Sequence, residues 1–214
     1  MASEGQPVLL LGAGHGRRLG GPKVFAQTGG CTFLARILAR CCETRSPVTL
    51  TVDRAFRRQV EALLAELASQ EGLPPPRLVD AAGDKPMLAS VREALRLGGY
   101  EPGFWLWPVD APFISAAGWR RAVATVAADP NVVWKLRSGG RSGHPVWFPF
   151  YTIPAIRRGT WPDGLRGFLA TVEPERIHAL ELPGEWLGDV DTPEELVAVE
   201  AHLRGEPKHG GGGT

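Results

Sequence analysis

The chain is poor in everything that would mark a secreted, zinc-stapled or membrane protein. Cysteine occurs three times in 214 residues, as Cys31, Cys41 and Cys42. An odd count, two adjacent thiols and no CxxC or Cys/His spacing argue against a disulfide framework or a zinc site. Three small thiols in a reducing compartment are the plain expectation. No apolar run approaches the ~20 residues of a membrane span. The first apolar run, 8–11, is too short for a signal peptide, and no basic stretch precedes it. A cytoplasmic protein that engages no membrane is expected. An excess of one charge is also missing, with 24 Lys and Arg against 23 Asp and Glu. Such a balance offers no global field for nucleic acid, so any anion site must be local.

What the chain does have is a long alternation. Hydrophobic residues make up 43% and charged residues 22%, proportions that let a soluble chain bury a real core. "VLLLG" (8–12), "PVTLTV" (47–52), "RLVD" (77–80), "FWLWPVD" (104–110), "NVVWKLR" (131–137), "PVWF" (145–148) and "RIHALEL" (176–182) read as strands. Segments 32–43, 54–72, 90–99, 115–128 and 192–205 read as helices. Thr32 is placed as an N-cap, and Ser90 with Glu93 and Thr192 with Glu195 are spaced as capping boxes. "SGGRSGH" (138–144) reads as a Gly-rich loop between two strands, and Trp105, Trp107, Trp134 and Trp147 read as core. This alternation predicts an α/β fold, a three-layer α/β/α sandwich around a mostly parallel, Rossmann-like sheet. One domain over 6–204 is expected, followed by a low-complexity tail (205–214) read as disordered.

The chemistry starts directly behind the first strand, at "LLGAGHGRRLGGPKVF" (10–25). The stretch fails the dinucleotide pattern GxGxxG because Arg17 stands where the third glycine belongs. It fails the P-loop pattern because Pro22 precedes Lys23 and Val24 follows it. What remains is a set of glycines with Arg18 and Lys23 trailing them. Glycines let backbone N–H groups approach phosphate oxygens, and the two cations neutralise charge, as a triphosphate requires. A tight turn with solvated cations is the bland alternative. Open α/β sheets hold ligands at the carboxyl ends of strands, and Asp110 ends one of these runs. Asp189 and Asp191 are two apart, so they share one face of an extended segment just ahead of the last helix. Turn capping and helix-start electrostatics would also account for these acids.

The loop resembles the LAAGxGxRMGxPK signature of the MobA-like nucleotidyltransferases, a family that includes molybdenum-cofactor cytidylyl- and guanylyltransferases. "VDAP" (109–112) resembles the family's D-x-P element, "GDVDTPEEL" (188–196) its DIDTPEDL, and "GHPVWF" (143–148) its G-[HN]-P-V-x-F. Together they span about residues 8 to 200, in family order. Gly12 for alanine, Leu19 for methionine and "VFAQTGG" (24–30) for LLPxxG depart from the pattern. The resemblance implies an Mg²⁺-dependent enzyme that moves a nucleoside monophosphate from an NTP to a phosphorylated small molecule and releases pyrophosphate. It implies a nucleotide site at Leu11, Gly12, Ala13, Gly14, Gly16, Gly83 and Ser90, with Arg18 and Lys23 as catalytic cations. It places the metal on Asp110 with Asp189, or alternatively Asp191, and His144 at the acceptor pocket. Helix capping explains Ser90 equally well, and an ordinary loop hydrogen bond would occupy His144. Among relatives, alanine at the position of Ala13 goes with cytidylyl and glycine with guanylyl enzymes, which favours CTP over GTP. Molybdopterin, a sugar phosphate or a phospho-lactate would each serve as acceptor. His15 is given no role, and Arg141 reads as a solvated cation. A non-catalytic nucleotide-binding subunit on the same fold is the second reading. A glycosyltransferase is disfavoured, because Asp189-Val190-Asp191 opens a helix rather than ending a strand. Oligomeric state leaves no mark in the sequence.

Overall fold

The apolar run at 8–11 becomes the centre of a sheet because every one of its side chains finds a buried partner. A computed structural model describes residues 5–204, so the Gly-rich tail lies outside the described residues. In chain order the strands are β1 (Val8–Leu11), β2 (Gln27–Thr28), β3 (Cys31–Thr32), β4 (Val48–Asp53), β5 (Arg77–Ala81), β6 (Gly103–Pro108), β7 (Val133–Ser138), β8 (Arg141–Pro149) and β9 (Ile177–Glu181). The helices are α1 (Phe33–Glu43), α2 (Arg57–Glu71), α3 (Met87–Leu95), α4 (Ala116–Ala128), α5 (Ile153–Arg158), α6 (Gly164–Leu169) and α7 (Pro193–Leu203).

β2 and β3 form a small hairpin, and the other seven strands form one sheet in the order β5-β4-β1-β6-β8-β7-β9. All its pairings are parallel except those of β8, which runs against both β6 and β7. Side chains alternate across β1. Val8 and Leu10 join one apolar cluster with α1, α2, α4 and α7, while Leu9 and Leu11 join another with α3, α5 and α6. Those two clusters are the outer layers of the expected sandwich. The tryptophans dominate the first cluster. Trp119 packs against Trp105 at 5.2 Å and Trp107 at 4.8 Å between ring centres. The indole N–H groups of these three have acceptors, as burial demands: Gln6 for Trp105, the Ala111 carbonyl for Trp107 and Thr44 for Trp119.

Several local expectations hold. Thr32 caps α1 through Ala35 N at 3.1 Å, and Thr192 with Glu195 forms a complete capping box with Pro193 at the first turn; Ser115, to which the sequence assigns no cap, caps α4. Three differ. α3 starts at Met87 behind Pro86, so Ser90 sits in its second turn, buried, and no Ser90–Glu93 box exists. Proline cannot lie inside a helix but pre-sets its start, and that signal outranks the serine. The 138–144 loop shrinks to a turn at Gly139-Gly140, with Arg141 to His144 already in β8. Finally, α5 and α6 fill a stretch to which the sequence assigns no helix. Among the described residues no helix is long and apolar enough to cross a membrane.

Candidate active site

The site lies along the carboxyl ends of β1, β4 and β6, where glycine packing shapes the first loop. Gly12 N donates to the Thr51 carbonyl at 3.0 Å, and a Cβ at Gly12 would sit 2.7 Å from Val24 Cγ1 and 2.8 Å from Leu50 Cδ1. Glycine stands here because the loop is pressed onto the sheet. Gly16 has φ +55°, and a Cβ there would come within 2.1 Å of the Gly21 carbonyl oxygen. Gly14, by contrast, is exposed with open space around it. Two single-turn 3-10 helices follow, Arg17–Leu19 and Lys23–Phe25, and they turn both cations back toward the strand ends.

There the cations meet the acids. Lys23 Nζ donates to Asp110 at 2.5 Å and also to Asp191, and Arg18 donates to Asp191 at 2.6 Å. Burial pulls the Lys23 ammonium down, but Asp110 and Asp191 outweigh it and hold its pKa above the ordinary value. The hydrogen bond from Lys23 keeps Asp191 below the ordinary carboxylate range. The other oxygen of Asp110, Oδ1, is buried without a partner. Asp189 is exposed and has no hydrogen bond or ion pair among the described residues. Carboxylate oxygens of Asp110, Asp189 and Asp191 all lie within 4.8 Å of one another. The arrangement follows from Val190, which is fully buried and donates its N–H to the Asp110 carbonyl at 2.8 Å. With Val190 pinned inward, the acids on either side of it face out together.

On one flank a small cavity of about 170 Å³ is lined by Ala13, Gly83, Lys85, Ser90 and Asp110, among others. The sequence-predicted Gly83 and Ser90 are therefore beside the glycine loop. Gly83 touches it so closely that a Cβ would lie 2.2 Å from the Ala13 carbonyl oxygen. Two residues that sequence reasoning missed hold this contact. Asp53 accepts from Gly83 N at 2.7 Å, from Ala55 N at 2.8 Å and from the His15 ring at 2.9 Å. The Ala55 bond, then His15 and Gly83, keep Asp53 below its ordinary pKa of 3.8. The available signal was an aspartate at the end of "TVD", a strand-end acid like Asp110.

On the other flank lies a cleft of about 790 Å³, with His144, Asp189, Lys135 and Phe148 among its walls and α6 over it. His144 N donates to the Leu187 carbonyl at 2.8 Å, and a Cβ at Gly143 would strike that same carbonyl oxygen at 2.1 Å. Strand β8 thus hugs the segment that carries the acids. Burial pushes His144 below the usual histidine range, with Asp110 and Asp189 opposing, and its Nδ1 is buried without a partner.

A sequence-family model described as the MobA-like NTP transferase domain matches residues 8–177. The chain belongs to this family. MobA-like domains are nucleotidyltransferases, and the fold agrees. Rv0371c from Mycobacterium tuberculosis H37Rv superposes with TM-score 0.75 at 24% identity, covering 92% of this chain and 98% of that one. A crystal structure of Rv0371c in complex with manganese gives TM-score 0.69 at 22% identity, with 89% and 95% covered. CMP:2-keto-3-deoxy-manno-octonic acid synthetase complexed with CTP gives 0.67 at 13% identity, with 94% and 99% covered. Molybdopterin-guanine dinucleotide biosynthesis protein A from Archaeoglobus fulgidus gives 0.61 at 15% identity, with 94% and 100% covered. The family match ends before Asp189 and Asp191, so it is the folded chain that brings this MobA-like domain's last two acids to Asp110.

Proposed function

We propose that the protein transfers a nucleoside monophosphate from an NTP, CTP in preference to GTP, to a phosphorylated small molecule with release of pyrophosphate. The observation that carries this reading is the meeting of Lys23 and Arg18 with Asp110 and Asp191 under the glycine loop, between a base-sized cavity and a larger cleft. The backbone of Leu11 to Gly16 lies against the triphosphate. Lys23 and Arg18 exchange carboxylate for phosphate oxygens and stabilise the charge that grows at the α-phosphorus. Such transfer asks for alignment and charge neutralisation rather than a protein nucleophile.

The carboxylates fit a divalent metal. Among the described residues Asp110 Oδ1 is buried and unpartnered, and Asp189 meets no cation. Asp110 and Asp189 would hold magnesium, while Asp191 orients Lys23 and Arg18. Bound there, the cation would supply further charge neutralisation to the phosphates. The manganese complex of Rv0371c supports a divalent ion in this fold. His144, kept neutral by burial, offers a ring nitrogen to the acceptor phosphate. The Ala13 side chain is buried and narrows the cavity meant for the base, which supports a pyrimidine. Gly83 and Ser90 border that base. Molybdopterin is one acceptor the cleft admits, supported by the Archaeoglobus relative, and a sugar phosphate or phospho-lactate would also fit. Free thiols at Cys31, Cys41 and Cys42 support a reducing, cytoplasmic setting.

The test is pyrophosphate release from CTP, GTP, ATP and UTP with magnesium and a panel of phosphorylated acceptors. Turnover with CTP first is expected. Full turnover by Lys23→Ala and Asp110→Ala would overturn the residue roles, and nucleotide binding without turnover on any acceptor would point to a non-catalytic subunit.

A further inference from the structure

The larger cleft holds a cation that no described residue neutralises. Lys135 stands in β7, opposite Val146 of β8 and Ala179 of β9, and lines the cleft half-buried. It makes no hydrogen bond or ion pair among the described residues, although Asp163 and Asp189 belong to the same cleft. Three other half-buried cations are treated differently. Lys23 has two carboxylates, Arg57 has Asp80 and Glu61, and Arg92 has the Ile156 and Gly159 carbonyls. Enclosing an ammonium without a counter-charge costs solvation, which an incoming anion returns. His144 lines the same cleft, and its Nδ1 has no partner among the described residues. Between these polar groups the walls are apolar, with Leu106, Phe148 and Leu165 among them.

We infer that the acceptor is anionic at two ends, with its reacting phosphate toward His144 and a second anionic group, carboxylate or phosphate, on Lys135. An apolar body joins the two along Phe148 and Leu165. The reacting end rests on the nucleotidyltransferase reading; the second subsite rests on Lys135 itself.

Two probes of one shape separate these claims: 4-carboxyphenyl phosphate and 4-methylphenyl phosphate, which differ by a single anion. Titrated calorimetrically into the full-length protein at neutral pH, the carboxylate probe is expected to bind about tenfold more tightly, roughly 1.4 kcal/mol. Lys135→Met should erase that preference and Lys135→Arg should retain most of it, with thermal unfolding of both variants matching the parent. Equal affinities, binding of neither probe, or a preference that survives K135M would overturn the proposal. A Lys135-dependent preference in a protein that releases no pyrophosphate would support the subsite and overturn the transferase reading. Pyrophosphate release without the preference would do the reverse.

Discussion

On the glycine-loop side of the site Lys23 and Arg18 are already paired with Asp110 and Asp191, whereas across the cleft Lys135 and the Nδ1 of His144 have no partner among the described residues. The first arrangement holds its charges in place before any nucleotide arrives, because each ion's opposite is another element of the fold. The second leaves charge uncompensated and relies on a ligand to complete it. Removing a member of the first group therefore disturbs the fold and the chemistry together, since a carboxylate stays behind without its cation. Removing a member of the second should disturb only what binds.

The sharpest way to break this contrast is to empty the paired side. Lys23→Ala is expected to lower kcat for pyrophosphate release by about 10²–10³-fold, the scale for losing one preorganised charge donor. Its unfolding midpoint should also fall, while that of K135M stays put. Chelating divalent ions should abolish turnover of the parent, and magnesium or manganese should restore it; turnover that persists in chelator would remove Asp110 and Asp189 from the metal role. Gly16→Ala comes next, because it forces a side chain into a left-handed backbone against the Gly21 carbonyl. A loss of about 1–3 kcal/mol is expected in denaturant unfolding, with weaker NTP binding in calorimetry. Asp53→Asn is smaller and depends on pH. The carboxylate of Asp53 has a depressed pKa in the fold, so its contribution is present above 3.8 and lost as pH falls below that value. The parent and D53N should differ most at neutral pH in denaturant midpoint and converge as pH falls below 3.8. Ala13→Gly should do least, shifting the CTP-to-GTP ratio of kcat/KM a few-fold toward GTP, within the ~1–3 kcal/mol that one methyl commands in a pocket.

The same contrast explains what the sequence disclosed. The alternation of apolar runs with amphipathic segments foretells the sheet, and Thr32 and Thr192 mark helix starts that form as spaced. The glycine spacing with Arg18 and Lys23 points to a phosphate loop because local backbone geometry dictates those residue types. Ser90 misleads because a cap needs a free helix end, and Pro86 had already begun the helix. The six residues of α5 and of α6 are too few for periodicity to register. Asp53 with His15 is a bond across 38 residues, and Lys135 matters for a partner it lacks. Neither fact is local, so no spacing rule reaches them.

The anchoring of Val190 under Asp110, with Leu187 stitched to β8, makes the run from Leu187 to Asp191 a strap rather than a loop end. Its far end is joined to α7, whose capping-box residue Glu195 also accepts from Asp191 N at 2.6 Å, beyond the span that the family model matches. The C-terminal helix is thus tied to the acidic end of the site, because the carboxylate that closes its cap also holds the backbone of Asp191.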